Sequence, residues 1–407
     1  MRIAIIVYVF PPEHAPAGVM VHELAEDLAA RGHQVTVQTG WPNHPGGKLF
    51  PGWRVKWRCL SRDGRYRLMR VWHSITPKSS TLGRLWGYLT FAVSSLVNGL
   101  AAGPVDAVLS LSTPVFGGWS AWVLARLKGA RFVYDVFDLH PEGARSAGLL
   151  GEGLAYRLWR WGDTALMRRA DAIATLGPGI KRLIEARGID GAKVTVVPFW
   201  LDTDRIRPSD RANAWRRAQG IPAETFVALY AGTIGYISGA QVLVETAERL
   251  RDRPDILLLV VGEGVAKDEL EAEARRRGLG NIRFLPFQPE EVLSQVQATA
   301  DVGLVTLLPE AGKSSIPSKV LGYMAAGRPV VASVAEDSDT AEMIRAGGCG
   351  WVVPPQDGAV LTDAIREAAD HPDQTRRRGE RARQHMLAHF ARTRAVASYE
   401  CLLAGAR

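Results

Sequence analysis

A cluster of acidic residues and a histidine in the segment Tyr134-Asp-Val-Phe-Asp-Leu-His-Pro-Glu142 offers acid–base chemistry. Asp138, His140 and Glu142 follow a β-rich apolar run and lie within five residues of one another. Carboxylates and imidazoles act as general bases and as hydrogen-bond acceptors for substrate hydroxyls. We therefore take Asp138, His140 and Glu142 as candidate catalytic residues, with Asp138 first in line to accept a bond from a substrate hydroxyl. Glu142 follows a proline, so capping of the next helix is its alternative role.

A second string, Ser314-Ser-Ile-Pro-Ser-Lys319, has the composition of a turn that binds a diphosphate. Serine hydroxyls, the unpaired backbone amides of a helix start and an ammonium group all stabilise negative charge. Pro317, Ser318 and Lys319 are therefore candidate phosphate-binding residues. The alternative is a capped helix that carries a solvated lysine.

Glycine follows two other predicted strands, just before a helical pattern begins. Pro11-Pro-Glu-His-Ala-Pro-Ala-Gly18 follows the first strand, and Gly262-Glu-Gly264 follows a later one. Glycine lets backbone amides and the positive end of a helix approach a polar or anionic group. This makes Gly18 and the nearby His14 candidates for one binding loop, and Gly262 and Glu263 candidates for another. The string GEGVAK lacks the third glycine of a dinucleotide fingerprint, which disfavours a redox enzyme.

Metal binding is not predicted. Asp202-Thr-Asp204 and Asp337-Ser-Asp339 match a carboxylate-x-carboxylate pattern, but two-acid matches are common by chance. The three cysteines, Cys59, Cys349 and Cys401, lie far apart and form no CxxC pair. They build neither a disulfide framework nor a zinc site, which fits a reducing cytosol. The apolar run before Pro11 is too short for a signal peptide, so we expect a protein that is not secreted.

Short β-rich apolar runs alternate with longer helical patterns, and this predicts an α/β fold with parallel sheets. The alternation occurs twice, and it lapses between Pro198 and Pro208, where turn residues replace periodicity. We predict an N-terminal domain over 1–200 and a C-terminal domain over 201–384, with a helix over 385–407 that packs back on the first. The predicted strands are Arg2–Phe10, Gln34–Thr39, Ala107–Leu111, Phe132–Asp135, Ala172–Thr175, Val194–Pro198, Phe226–Ala231, Ile256–Val261, Ile282–Leu285, Val302–Leu307, Val330–Ser333 and Trp351–Val353.

Basic charge is concentrated in the first half of the 407-residue chain. Residues 1–200 contain 24 Lys and Arg against 14 Asp and Glu, whereas the whole chain has a net charge of +8. The densest part, which we name the basic cluster, interleaves with four aromatic residues and consists of Arg54, Lys56, Arg58, Arg62, Arg65, Arg67 and Arg70. Such a mixture suits an anionic membrane surface, and a solvated face is the alternative. Nucleic acid is not expected as a partner, because the chain has no helix-turn-helix, zinc-finger or RRM signature.

An uncharged stretch of 18 residues, Leu85–Ala102, follows the basic cluster. It has the minimum length for a membrane span, but glycines, serines, an asparagine and a threonine dilute its apolar character. A buried or interfacial helix is therefore the better prediction. Its position next to the basic cluster favours peripheral contact with a membrane.

Taken together, these strings resemble the family 4 glycosyltransferases of GT-B fold, and within them the WbuB-like group of surface polysaccharide transferases. The resemblance runs from the first strand to the C-terminal helix. It rests on Gly18 with Val21–Val35, Asp138–Glu142, Tyr230-Ala-Gly232, Val260–Gly264, Pro317-Ser-Lys319 with Ala325–Ser333, and Gly347–Pro355.

The resemblance implies two Rossmann-like domains that face each other across a cleft. A nucleotide-sugar donor, UDP-linked by expectation, binds the C-terminal domain at Gly232, Thr233, Gly262, Glu263, Pro317, Ser318 and Lys319, and the N-terminal domain binds the acceptor near Gly18 and His14. It also implies retention of the anomeric configuration, with no cofactor and no required metal. The expected acceptor is a saccharide on a polyprenyl diphosphate, at the inner face of the cell membrane. An epimerase of the same fold and a non-catalytic binding subunit are the alternatives.

This sequence departs from the family pattern where charge matters most. The family's paired glutamates correspond to Ser314 and Gly322, and its arginine and lysine after the strand that ends at Gly232 correspond to Thr233 and Ser238. The family's cleft histidine aligns best with Phe137. Neutralisation of the donor phosphates therefore falls to Lys319, assisted by Lys313 or Arg328.

Overall fold

The computed structural model describes residues 1–13, 15–44, 46–76, 81–137, 139–142, 151, 153–309 and 316–405. The chain folds as two compact units. Unit 1 comprises Met1–Glu142, Leu150–Pro198 and Thr393–Arg407, and unit 2 is built from Phe199–Arg392. Each unit is a sheet covered by helices.

Unit 1 contains an eight-stranded sheet in the order β3-β4-β2-β1-β5-β6-β7-β8. All neighbouring pairs are parallel except β3 and β4, which form an antiparallel hairpin at one edge. The strands are β1 (Arg2–Ile6), β2 (Gln34–Thr39), β3 (Arg58–Asp63), β4 (Tyr66–Val71), β5 (Ala107–Leu111), β6 (Arg131–Val136), β7 (Ala172–Thr175) and β8 (Val194–Val196). The helices between them are α1 (Pro16–Ala30), α2 (Thr81–Ala101), α3 (Val115–Lys128), α4 (Leu154–Arg169) and α5 (Pro178–Glu185).

Unit 2 contains a parallel six-stranded sheet in the order β11-β10-β9-β12-β13-β14. Its strands are β9 (Phe226–Ala231), β10 (Ile256–Val261), β11 (Ile282–Leu285), β12 (Val302–Thr306), β13 (Val330–Ser333) and β14 (Gly350–Val353). The helices are α6 (Ala214–Ala218), α7 (Val242–Arg249), α8 (Lys267–Arg276), α9 (Leu293–Thr299), α10 (Lys319–Ala325), α11 (Asp339–Gly347), α12 (Gly358–Asp370) and α13 (Pro372–His389). Strand β10 is buried along its whole length, as expected for an uninterrupted apolar run in a parallel sheet.

The predicted α/β fold is confirmed, and most strand bounds agree within two residues. The first strand is shorter than predicted and stops at Ile6, because the residues up to Phe10 form a loop. The hairpin β3–β4 was not predicted, since its charged residues hide the alternation typical of a strand. The helix expected over 385–407 is two helices, because Phe390 leaves helical geometry and packs into the core of unit 2.

The last helix, α14 (Arg392–Ala404), packs on unit 1. The Tyr399 hydroxyl donates a 2.6 Å hydrogen bond to Oδ2 of Asp135, a carboxyl buried in β6. Glu400 on the same helix pairs with Arg31 and His33 at the end of α1, both at 2.7 Å. The helix therefore completes a unit whose strands all come from the first half of the chain.

Candidate active site

The sheet order of each unit marks the place where a ligand binds. In open α/β sheets, ligands lie beyond the carboxyl ends of the strands, where the strand order reverses. This switch point falls between β9 and β12 in unit 2 and between β1 and β5 in unit 1. The loops that follow these strands carry most of the residues singled out from the sequence.

Lys319 lies at the switch point of unit 2, where it begins α10. Its Nζ lies 3.4 Å from the centroid of the Tyr230 ring, on β9. A Cβ atom added to Gly232 would lie 3.1 Å from Lys319 Cε. The structure therefore brings together Gly232 and Lys319, which are far apart in sequence.

The Lys319 ammonium has neither a carboxylate nor a hydrogen-bond partner within the described part of the chain. Burial lowers the pKa of Lys319 to about 7. The ring of Tyr230 offsets only part of the lost hydration, because a cation–π contact contributes about 0.5–2 kcal/mol. Lys319 as a whole remains half-buried rather than enclosed. An accessible cation without a partner is a site for an anion.

The adjacent Ser318 is exposed, and its side chain makes no capping hydrogen bond to α10. Ser318 therefore does not cap this helix, as the alternative interpretation of the string would require of it. Helix α10 has only seven residues. Its dipole is a small contribution beside the charge of Lys319.

Glycines let the loops after β9 and β10 run in contact. The Gly232 amide donates to the Val261 carbonyl at 2.9 Å, and the Ile234 amide donates to the Glu263 carbonyl at 2.9 Å. Gly232 has a φ of +146°, and a Cβ at Gly262 would lie 2.0 Å from the Gly232 oxygen. These glycines thus fix the backbone beneath Lys319. The Glu263 carboxylate pairs with Lys267 at 2.7 Å.

We expect Gly262→Ala to lower the free energy of unfolding by about 1–3 kcal/mol, because its methyl group has no space against the Gly232 carbonyl. Gly280→Ala is the matched control, since a Cβ there meets no atom within 4 Å. Urea unfolding of both variants measures the difference. If both variants had the same free energy of unfolding, the loops after β9 and β10 could move apart without loss of stability.

Fewer residues near Lys319 can neutralise the donor phosphates than the sequence predicted. Thr233 is exposed, and its carbonyl accepts a 2.8 Å bond from the Tyr230 hydroxyl. Ser238 is buried and donates to the Gly235 carbonyl at 2.6 Å. The assisting role of Arg328 is wrong, because it donates to the Ser209 carbonyl and precedes β13, at the amino edge of the sheet. Lys313 and Ser314 lie outside the described residues.

Gly322, the position of the second family glutamate, is buried within α10. A Cβ there would lie 3.2 Å from Nε2 of Gln297 on α9. Gln297 is itself buried, and its Oε1 has no hydrogen-bond partner. The amide of Gln297 therefore occupies the space toward which a side chain at 322 would point.

In unit 1, His140 follows β6 and lies beside Thr113, which follows β5. The His140 Nε2 is 2.9 Å from the Thr113 hydroxyl, and its ring stacks on Trp159 with centroids 5.7 Å apart. The loops after two neighbouring strands are thus joined at the carboxyl edge of the sheet. Asp138 and His14 lie outside the described residues.

Arg187, which the sequence analysis missed, organises the loop around His140. Its Nη1 donates to Asp163 at 2.8 Å, and its Nη2 donates to the His140 carbonyl at 2.7 Å and to the Glu142 carboxylate. Arg160 adds a second cation 3.4 Å from Glu142. A carboxylate held by two arginines favours a positioning role for Glu142. Only the glycine turn after α5 marks this arginine in the sequence.

The loop after β1 differs from its predicted form. Helix α1 starts at Pro16, so Gly18 lies within its first turn instead of before it. A Cβ at Gly18 would lie 2.8 Å from the Val9 carbonyl oxygen, so this glycine serves close packing of helix against loop. The buried Glu13 shapes the loop by accepting bonds from the amides of Phe10, Asn43 and His44 at 2.7–3.0 Å.

The basic cluster divides into one buried and six exposed residues. Arg70 is buried, donates to the Gly40 carbonyl at 2.8 Å and lies 4.7 Å over the Trp53 ring. It therefore belongs to the core and not to an outer surface. The exposed members are Arg54, Lys56, Arg58, Arg62, Arg65 and Arg67.

Two open, mostly parallel sheets, each with loops suited to a ligand at its switch point, have the architecture of the GT-B fold. Solved structures with the same fold cover the whole chain. Sucrose-phosphate synthase from Thermosynechococcus elongatus aligns with a TM-score of 0.78 at 20% identity, over 100% of both chains. Anabaena Alr3699/HepE in complex with UDP-glucose aligns with a TM-score of 0.72 at 16% identity, also over 100% of both chains.

Residues 17–200 match the family described as glycosyl transferase 4-like domain, and residues 225–371 match glycosyl transferases group 1. The putative colanic acid biosynthesis glycosyl transferase WcaI of Escherichia coli K12 is 27% identical over 376 residues, which is 90% of this chain and 92% of WcaI. The chain belongs to the family 4-like glycosyltransferases. It is therefore a transferase enzyme, as its resemblance to this family predicted.

Proposed function

We propose that this enzyme transfers a sugar, with retention of anomeric configuration, from a UDP-linked donor to a lipid-linked or saccharide acceptor in surface polysaccharide synthesis. The observation that carries the proposal is Lys319, an ammonium group at the switch point of unit 2 that has no anionic partner among the described residues. A nucleoside diphosphate is an anion of the matching kind. The name of WcaI, putative colanic acid biosynthesis glycosyl transferase, supports the pathway, and the structure of HepE in complex with UDP-glucose supports the donor class.

In the proposed reaction, the bond between the anomeric carbon and the phosphate oxygen breaks, and the nucleoside diphosphate leaves with the electron pair. The acceptor oxygen bonds to the anomeric carbon on the same face, and its proton passes to the departing phosphate oxygen. Lys319 stabilises the charge that develops on the diphosphate. The Gly232 amide is already bonded to Val261, so it serves the loop and not the phosphate.

In the proposed reaction, the Asp138 carboxylate accepts a hydrogen bond from the attacking hydroxyl of the acceptor substrate, and His140 lies two residues further along the same loop. Glu142 and Arg187 position this loop through the bonds that Arg187 makes to Glu142 and to the His140 carbonyl. A loop held by arginine hydrogen bonds keeps the reacting groups at fixed positions relative to each other.

Purified enzyme incubated with a panel of nucleotide sugars, with and without a polyprenyl-diphosphate-linked saccharide, tests the proposal. Release of nucleoside diphosphate only with both substrates supports a transferase, and an unchanged anomeric configuration in the product by NMR supports retention. Conversion of the nucleotide sugar without an acceptor would instead identify an epimerase. Binding without turnover of any pair would identify a non-catalytic subunit.

The proposed acceptor places the enzyme at the inner face of the cell membrane, on an anionic surface. No helix among the described residues is both long and apolar enough to cross a bilayer. The six exposed residues of the basic cluster support attachment by charge, at about 1 kcal/mol for each residue near an anionic surface.

We expect the triple variant Arg54→Glu, Lys56→Glu, Arg58→Glu to lose most of its binding to anionic vesicles at 0.1 M salt. Reversed charges repel an anionic surface, and salt screens such charges beyond about 10 Å. Cosedimentation with phosphatidylglycerol-containing vesicles measures the loss. Lys267→Glu in unit 2 is the single-charge control. If the triple variant bound anionic vesicles as strongly as the wild type, the basic cluster would not attach the enzyme to the membrane by charge.

A further inference from the structure

Helix α2 buries Phe91 together with mostly small and polar residues, and it exposes most of its large apolar side chains. Small and polar residues face the interior of unit 1, and among them Thr90, Ser94, Ser95 and Asn98 are buried. The exposed large apolar residues recur every three or four positions, so they share one side of the helix. We name them the outward face of α2, and they are Leu82, Leu85, Trp86, Leu89, Val93, Val97 and Leu100.

This arrangement is the reverse of a surface helix in water, which turns its apolar stripe to the core. On the buried side, Thr90 accepts a 3.0 Å bond from the Ser74 amide, and both Thr90 and Asn98 donate to carbonyls of their own helix. The hydroxyls of Ser94 and Ser95 have no hydrogen-bond partner among the described residues. Large apolar surfaces of this kind mark contact with a protein or a membrane.

We infer that the outward face of α2 inserts into the interfacial region of an anionic lipid monolayer. The charge of this segment favours an anionic lipid surface as the partner of α2. From Gly64 to Val105 the chain has no acidic residue and five basic ones. Arg84 stands exposed on α2 itself, beside Leu85 and Trp86, and six residues of the basic cluster are exposed just before the helix in sequence. Apolar insertion flanked by basic residues is how interfacial helices bind anionic membranes.

A second helix extends the same pattern. Helix α3 packs against both α2 and α4. The first three turns of α4 expose Leu154, Leu158 and Trp161 at i, i+4 and i+7. The adjacent Arg157 and Arg160 are exposed too. Helix α4 therefore carries a smaller set of exposed apolar and basic residues of the same kind.

This inference deepens the proposed function and rests on it for the lipid-linked acceptor, but its test needs no donor or acceptor. The test variant is Trp86→Ser, Leu89→Ser, Val93→Ser, whose side chains are all exposed in the structure. The matched control is Val265→Ser, Phe287→Ser, Leu387→Ser, three exposed apolar residues of unit 2. Each protein is cosedimented with vesicles of phosphatidylglycerol and phosphatidylethanolamine, 3:7, and with phosphatidylcholine vesicles, at about 0.1 and 0.5 M salt, which span weak and strong screening.

We expect the α2 variant to bind the anionic vesicles about a hundredfold more weakly than the wild type, because three inserting side chains are lost. The control should bind like the wild type. Binding that remains at high salt should vanish in the α2 variant, since apolar insertion is not screened. Wild-type binding by the α2 variant would overturn the inference. A second result would also overturn it: the wild type is a dimer in sedimentation equilibrium, the α2 variant is a monomer, and neither protein binds vesicles. The outward face of α2 would then be covered by a second copy of the chain.

Trp86→Phe gives a test that does not depend on the triple variant folding. Brominated lipids should quench less of the tryptophan fluorescence of Trp86→Phe than of the wild type. Equal quenching would place residue 86 outside the lipid and overturn the inference. In detergent, with a nucleotide sugar and a short-chain acceptor, the α2 variant should turn over like the wild type. If the wild type turns over its substrates but the α2 variant binds vesicles as well as the wild type does, only this inference is refuted. If the wild type binds lipid through the outward face of α2 but shows no turnover, only the proposed function is refuted.

Discussion

Lys319→Met is expected to lower kcat/KM for the nucleotide sugar by about a hundredfold. A cation positioned at a departing diphosphate stabilises the transition state, and loss of one such group typically costs about two to three powers of ten. Methionine keeps the length of the side chain and its contact with the Tyr230 ring, so the loss reports charge. Steady-state release of nucleoside diphosphate measures it.

The same substitution should not destabilise the fold. Because the pKa of Lys319 falls from 10.5 to about 7 in the folded chain, the unfolded state binds more protons between these values. Stability therefore rises with pH across this window, and the buried cation costs free energy at pH 7 and below. Lys319→Met removes that cost, so its unfolding midpoint at pH 6 should equal or exceed that of the wild type. Unchanged turnover, or a collapse of stability together with turnover, would contradict the assignment of Lys319 to the donor phosphates.

Asp135→Asn should flatten the pH dependence of stability between pH 4 and pH 7. Asp135 is buried, its Oδ1 has no hydrogen-bond partner in the part of the chain that the structure describes, and burial raises its pKa from 3.8 to about 7. A raised pKa in the folded state means that the stabilising proton is fully bound at low pH and is lost as the pH rises toward 7. The wild type should therefore lose up to about 4 kcal/mol of unfolding free energy across this window, and the asparagine variant should not.

Urea unfolding at several pH values, compared as the difference between wild type and variant, isolates Asp135 from other titrating groups. Asp363→Asn on α12 is the control, because that carboxylate is exposed. Tyr399→Phe tests the partner, since it removes the hydrogen bond that the Tyr399 hydroxyl donates to the Asp135 carboxyl. A parallel pair of pH curves for wild type and Asp135→Asn would show that Asp135 is ionised in the native protein at low pH.

Apolar periodicity predicted most strands of the two sheets because, apart from the edge hairpin β3–β4, these strands pair in parallel and are largely buried. The strands Ala107–Leu111, Ala172–Thr175 and Ile256–Val261 have the bounds that the sequence indicated. Lys319 and Gly232 could also be predicted as partners, because each follows a strand end and such ends meet at one edge of a parallel sheet.

The remaining features depend on contacts that have no periodic signal. The hairpin β3–β4 has arginines at irregular spacing and no regular alternation, and its outer strand lies at an exposed edge, where charge protects against pairing with another chain. Arg187 joins Asp163 and Glu142 across the fold, and no spacing in the sequence connects these three residues. The inverted character of α2 is equally hidden, because an apolar segment does not reveal which of its sides is buried.

The return of α14 to unit 1 affects the order of events during synthesis. Residues 393–405 leave the ribosome after every strand of both sheets has been synthesised. Unit 1 therefore lacks its last helix while unit 2 is translated. Until then, Asp135 lacks Tyr399 and the end of α1 lacks Glu400. A gene fragment that stops at Pro198 would therefore encode an incomplete unit. A fragment that joins residues 1–198 to 393–405 through a short linker supplies every element that unit 1 contains.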